Sequence, residues 1–170
     1  MTALDRVRAV LDEHHLSYAL IGAAALAARG IARSTFDIDL LTTDLRALDS
    51  AVWAALPAAA IDVRRGDVED PLAGVIRVTL DADRPVDIVV GKHAWQARAI
   101  ERAEAISGGP PVVLARDLVL LKLYAGGVQD LWDIRELLAL GDPSLDADVA
   151  ADLSALPELL QQRWASLRRQ

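Results

Sequence analysis

The sequence predicts an α/β (α+β) fold, a mixed β-sheet flanked by helices with a C-terminal helical extension. Three observations predict it. Short apolar or alternating runs at 18–21, 36–40, 75–80 and 86–90 read as strands. Stretches with apolar residues at helical spacing separate several of them. Beyond a last short strand at 112–114, every periodic segment reads as helix. The chain has 170 residues and is 53% apolar, enough for one domain with a buried core. We divide it into an α/β core, 1–114, and a helical part, 115–170, packed on that core.

Thr2 caps a first helix, with Asp5 three residues on, and Val7, Val10 and Leu11 form its apolar stripe. His14 and His15 lie near its end, where histidine suits the helix dipole, and carry no assigned chemistry. The strand 18–21 follows. Gly22 turns the chain into a helix over 23–28, which Gly30 ends in the left-handed position. Strict alternation then predicts an extended segment, with Arg33, Thr35, Asp37 and Asp39 on one polar row. Phe36, Ile38 and Leu40 face the core. Thr43 is read as the cap of a helix from Asp44 to about Leu56, stopped by Pro57.

A strand at 60–64 and a polar loop at 66–71 come next. The strands 75–80 and 86–90 are joined by the turn-rich Asp81-Ala82-Asp83-Arg84-Pro85 and read as a hairpin. Residues 93–106 read as helix. Two further helices, 116–124 and 129–140, flank Gly126-Gly127. After Gly141-Asp142-Pro143 the tail is helical, interrupted at Pro157. There is no repeat and no low-complexity tract.

Composition narrows the chemistry. With no cysteine, disulfides and thiolate metal sites are excluded, so a metal must be held by oxygen or by one of three histidines. A net charge of −7 disfavours broad binding to nucleic acid. Docking of an RNA end at a basic patch near Arg163, Arg168 and Arg169 stays open beside the simpler reading, cations in a last helical turn. Residues 18–28 imitate a secretion signal, but Asp12 and Glu13 precede them and the run is too short to cross a bilayer. We read them as a core strand plus helix of a cytoplasmic protein, with no membrane partner.

Asp37 and Asp39 carry the strongest chemical signal. On one strand face their α-carbons are roughly 6–7 Å apart, a spacing that lets both carboxylates lean on one hard divalent cation. The competing reading is the solvated face of an edge strand, although two like charges there repel unless something positive sits between them. Gly22 stands where strand hands over to helix, a place suited to phosphate and equally to tight packing. Asp87 interrupts the apolar run Val86-Asp87-Ile88-Val89-Val90, where a charge is costly unless paired or bound to a cation; an exposed hairpin start is the alternative. Three converging hard oxygens would suit Mg²⁺, two such ions clamping the attacking and leaving oxygens of a phosphoryl displacement. Lys122 is mounted on an apolar helix face, either snorkelling or meeting a carboxylate or nucleotide phosphate. Asp130 reads as a helix cap or a catalytic part, and Asp133 as an ion-pair partner of Lys122.

Together these residues resemble the nucleotidyltransferase superfamily that includes DNA polymerase beta. Within it the sequence looks most like bacterial stand-alone nucleotidyltransferases similar to abortive-infection and toxin–antitoxin enzymes. The matching positions are Gly22 and Ala25; Arg33, Thr35, Asp37, Ile38, Asp39 and Leu40; Asp87; Leu118, Leu121, Lys122 and Leu123; and Asp130, Asp133 and Ile134. The resemblance implies a nucleotidyltransferase-like fold and a Mg²⁺-dependent enzyme with two ions. It implies that Asp37, Asp39 and Asp87 are metal ligands, Asp87 also helping to activate the acceptor hydroxyl. Gly22, Ala23 and the amides after them cradle the triphosphate, Lys122 steadies it, and Arg33, Thr35, Asp130 and Asp133 belong to the nucleotide site. The implied partners are a nucleoside triphosphate such as ATP, a hydroxyl acceptor (an RNA 3′ end, a protein side chain or a small molecule) and a cognate regulatory protein. Two departures stand out: Ala23 replaces a second Gly or Ser, and Gln129 stands where an arginine is frequent. They motivate the alternative reading, a catalytically degenerate binding or regulatory module.

Overall fold

The structure, a computed structural model, describes residues 1–56, 59–80, 82–106 and 108–169. Helix α1 (Ala3–Glu13) opens on the expected capping box: the Asp5 amide donates to Thr2 Oγ1 at 3.2 Å and the Thr2 amide to Asp5 Oδ2 at 2.8 Å. Strand β1 (Ala19–Ile21) passes directly into α2 (Gly22–Ala28). Strand β2 (Ile38–Thr42) follows, then β3 (Ala60–Arg65), β4 (Gly74–Thr79) and β5 (Val86–Val90). Helix α3 (Ala94–Glu101) precedes two short strands, β6 (Glu104–Ala105) and β7 (Pro111–Val112). Four helices complete the chain: α4 (Ala115–Ala125), α5 (Val128–Ala139), α6 (Leu145–Leu153) and α7 (Glu158–Leu167).

The strands form one seven-stranded mixed sheet in the order β3-β4-β5-β2-β1-β7-β6. Strand β2 runs parallel to β5 and β1 parallel to β7, and the other neighbours are antiparallel. The α1 stripe of Val7, Val10 and Leu11 packs towards β4 and β5, while α2 lies against β1, β2 and α4. Leu40, Ile76 and Ile88 are fully buried in the resulting core. Each such side chain contributes roughly 1.5–3 kcal/mol by leaving water.

Three expectations are corrected. Phe36 does not face the core; it is 93% exposed, and the strand begins two residues later at Ile38. The reason is local: the Thr35 hydroxyl donates to the Asp37 carbonyl and carboxylate, both at 2.9 Å, and bends the chain before alternation can start. The single helix expected after Thr43 is instead two 3₁₀ segments, Leu45–Leu48 and Ser50–Ala55. Asp44 and Asp49, not Thr43, cap them by accepting from the amides of Arg46 and Ala51 at 2.9 Å. Two competing caps five residues apart leave no room for a continuous α-helix. Pro57, the expected stop, lies outside the described residues, as does Asp81 in the β4–β5 link. The helix expected over 93–106 ends at Glu101, because Glu104 and Ala105 pair with Val112 and Pro111 instead. Long-range pairing overrides local propensity there.

Candidate functional site

Strand register builds the site. Pairing aligns Asp62 with Arg77, Arg77 with Asp87, Asp87 with Asp39, and Asp39 with Ile21. Directly paired residues share a sheet face, so this row crosses β3, β4, β5, β2 and β1 on one side. The lone acid of Val86-Asp87-Ile88 therefore lies beside Asp39. Asp37, two residues before Asp39, reaches the same region through Arg77. The Arg77 guanidinium donates to Asp37 Oδ2 at 3.0 Å and meets Asp87 Oδ1 at 3.0 Å.

Asp39, like Asp37 and Asp87, is half-buried. Its pKa is pushed up to about 6, first by desolvation and then by the charges of Asp37 and Asp87. Asp87 is also raised, by burial above all, with Arg77 opposing. Arg77 in contact, with Lys122 and Arg64 at a distance, thus under-compensates these half-buried carboxylates. Among the described residues, no three carboxylate or imidazole groups stand arranged to hold a metal ion. Two of the trio are engaged with Arg77. The donor set itself is three hard oxygens with excess negative charge, which fits a divalent cation such as Mg²⁺.

Gly22 explains itself sterically. Its φ is +65°, and a Cβ there would run into the Asp39 carboxylate. The acid consequently rests against the first turn of α2, whose amides no side chain caps and whose dipole end is positive. Ala23, in that first turn, is partly exposed.

The remaining predicted residues form a second, adjoining group. Lys122 Nζ donates to Asp130 Oδ1 at 2.8 Å and pairs with Asp133 Oδ2 at 2.9 Å. Burial works to lower the Lys122 pKa, but these two carboxylates outweigh it and leave the pKa raised. Asp130 also caps α5, as one of its two expected roles had it: its other oxygen accepts from the Gly127 amide at 3.0 Å. Asp133 is fully buried and also meets Arg33 at 3.4 Å and the Gln129 side-chain amide at 3.2 Å. Arg33 has therefore left the polar row of Asp37 and Asp39 for α5. Thr35 stays with Asp37 as its hydrogen-bond partner.

Between the two groups lies an apolar cavity of about 270 Å³, lined among others by Gly22, Leu72, Val89, Leu121, Lys122 and Tyr124. The Tyr124 hydroxyl lies 2.7 Å from His93 Nε2 and donates to the Pro71 carbonyl at 3.2 Å, tying the loop before β4 to α4. Sequence reasoning missed this wall and missed Arg77. Arg77 had a signal: it interrupts the apolar run Val75-Ile76-Arg77-Val78, just as Asp87 interrupts its own. Tyr124 had none, because a tyrosine on an apolar helix reads as core.

Neither a family model nor a curated protein sequence matches the chain. Solved structures do. The solution structure of the antibiotic-resistance factor ANT(2'')-Ia matches with a TM-score of 0.58 and 19% identity, over 97% of this chain and 92% of that one. The crystal structure of ANT(2'')-Ia in complex with adenylyl-2''-tobramycin matches with a TM-score of 0.53 and 19% identity, over 93% and 94%. An antigenic nucleotidyltransferase-like protein from Paracoccidioides brasiliensis gives a TM-score of 0.49 and 18% identity, over 97% and 90%. The likeness establishes the fold: a mixed sheet flanked by helices, of the kind nucleotidyltransferases use. Among the described residues, no helix is long and apolar enough to cross a membrane.

Proposed function

We propose that the chain is a Mg²⁺-dependent nucleotidyltransferase that moves a nucleoside monophosphate from an NTP to a hydroxyl. The observation that carries this reading is the register row that sets Asp39 beside Asp87, against the Gly22 turn. Asp37, Asp39 and Asp87 would hold the metal. When bound, Mg²⁺ supplies charge neutralisation at the reacting phosphate oxygens. The acceptor oxygen forms a bond to the α-phosphorus, the bond to pyrophosphate breaks, and Asp87 takes the hydroxyl proton. The Gly22 turn offers uncapped amides to the triphosphate, and Lys122 faces the cavity between that turn and α5. Catalysis of this kind is positioning plus electrostatic stabilisation.

Three acceptor classes were open: an RNA 3′ end, a protein side chain and a small molecule. The neighbour held with adenylyl-2''-tobramycin supports the small-molecule class. A net charge of −7 disfavours a polyanionic acceptor. The motif resemblance read from the sequence extends the proposal to a toxin–antitoxin role with a cognate regulatory protein, testable by co-purification with the product of a neighbouring gene. Incubation with Mg²⁺ and labelled NTPs should transfer label to an acceptor in a lysate, and Asp39→Ala should abolish it. Undiminished labelling by Asp39→Ala would remove the three-acid site from the account.

A second reading, a binding module without turnover, is favoured by Ala23 at the phosphate turn and by Gln129, which is committed to Asp133. Calorimetry with ATP, GTP, CTP and UTP separates the two. Binding that requires Mg²⁺ supports the enzyme, and binding indifferent to Mg²⁺ supports the module.

A further inference from the structure

Two of the three proposed metal ligands are joined by a cation of the chain's own. Arg77 projects from β4 opposite Asp87 and contacts two of the three acids at once, Asp37 Oδ2 at 3.0 Å and Asp87 Oδ1 at 3.0 Å. The two contacts differ in quality. The Asp37 contact is a formed hydrogen bond, whereas Asp87 Oδ1 is buried and lacks hydrogen-bond geometry to any donor. Arg77 keeps 44% of its side chain exposed, so it has a path outward into water. Asp62, opposite Arg77 on β3, is already paired with Arg64 at 2.8 Å and does not hold the guanidinium in place. A guanidinium binds carboxylate and phosphate in the same planar fork and is more weakly hydrated than an ammonium. It is therefore a suitable partner to exchange between an acidic site and an anionic ligand.

We propose that Arg77 is an exchangeable counter-ion. It neutralises Asp37 and Asp87 while the site holds no cation and swings outward when a divalent cation takes their oxygens. This rests on the metal-site reading above and adds a cost to metal loading, because the cation must first break both Arg77 contacts. Loading breaks two half-exposed ion pairs, so the competition weakens cation affinity by roughly threefold to thirtyfold.

The test is Mn²⁺ binding to the full chain, followed by the electron paramagnetic resonance of free Mn²⁺ without nucleotide. Wild type, Arg77→Ala, Arg77→Lys, Arg64→Ala and Asp39→Asn are compared, with folding checked by circular dichroism. Arg77→Ala should bind Mn²⁺ at least threefold more tightly, and Arg77→Lys, a point charge unable to bridge both acids, should fall between it and wild type. Arg64→Ala removes a positive charge that acts on Asp87 only through space, touching neither Asp37 nor Asp87, and should change affinity less than Arg77→Ala does. A second readout follows the Arg77 Nε–H resonance, which should shift as Mg²⁺ is added to wild type and stay in place in Asp39→Asn. If wild type binds Mn²⁺ through Asp39 but Arg77→Ala binds equally or more weakly, Arg77 is a brace and this inference fails while the proposed function stands. If neither wild type nor Arg77→Ala binds Mn²⁺ at millimolar concentration, the metal-site reading fails with it.

Discussion

Two clusters of aspartate and arginine stand in this molecule, and their charge balance differs. On the sheet, Asp37 and Asp87 share one guanidinium, that of Arg77, and Asp39 feels only the through-space charges of Lys122 and Arg77. Between α3, α4 and α6, three aspartates meet three arginines. Asp152 accepts from Arg98 and from Arg116, each at 2.9 Å, and meets Arg102 at 2.9 Å; Asp117 accepts from Arg102 at 2.5 Å, and Asp148 lies 3.7 Å from Arg116. The carboxyls respond in opposite directions. Burial and its two acidic neighbours push Asp39 up to about 6. Burial would raise Asp152 as well, but the three arginines outweigh it and hold its pKa below the usual carboxylate range. The balanced cluster fastens helices to one another. The deficient one stores repulsion that a ligand cation can relieve, as functional sites often do.

Four predictions break or sharpen that contrast. The largest effect belongs to Asp152→Ala, which removes the acid that three arginines share, leaving Arg102 only Asp117 and Arg116 only Asp148, and should destabilise the fold by about 3 kcal/mol. Urea unfolding measures it, and Mn²⁺ affinity should be unchanged; a stability loss below about 1 kcal/mol would mean the cluster is not a fastening. Next comes Gly22→Ala, which meets both a positive φ and the Asp39 carboxylate. It should cost about 2 kcal/mol and displace Asp39, so stability and metal binding fall together.

Asp39→Asn should act in the opposite sense, stabilising the metal-free protein by about 1 kcal/mol at pH 7. The sign follows from linkage: a carboxyl whose folded pKa exceeds its unfolded value costs stability when ionised, and the cost fades as pH falls from about 6 towards the unfolded value. Thermal melts in chelator at pH 7 and pH 4.5 should show the advantage at the first and little at the second. The smallest effect concerns acid. Asp152, with a lowered pKa, contributes stability above the unfolded carboxylate range and loses it as pH falls through its folded value. Wild type should therefore lose its advantage over Asp152→Ala only in strong acid, and a gap that closes near neutral pH would contradict the balanced-cluster account.

Much of the site was legible before the structure. Asp87 drew attention because a charge inside an apolar run needs a partner, and the partner exists. The pairing of Lys122 with Asp133 followed from two charges on apolar helix faces flanking a glycine hairpin. Arg77 escaped notice although the same rule applied to it. What one sequence could not reveal was which of the chain's many cations would reach the acids, since that depends on the register of β4 on β5 and on β2 lying beside β5. The exposed Phe36 was misread because a threonine hydroxyl two residues before Asp37 outcompeted the alternating pattern.

The sequence by itself determined the capping box at Thr2 and Asp5, the strand-to-helix turn at Gly22, the β4–β5 hairpin and the helices around Gly126-Gly127. All are set by side-chain periodicity or by bonds spanning a few residues. Tertiary structure alone decided the order of the seven strands, the parallel register that sets Asp39 beside Asp87 and the reach of Arg77 to Asp37. Each is a contact between segments far apart in the chain, where closing a loop must be offset by burial or pairing that no local window contains.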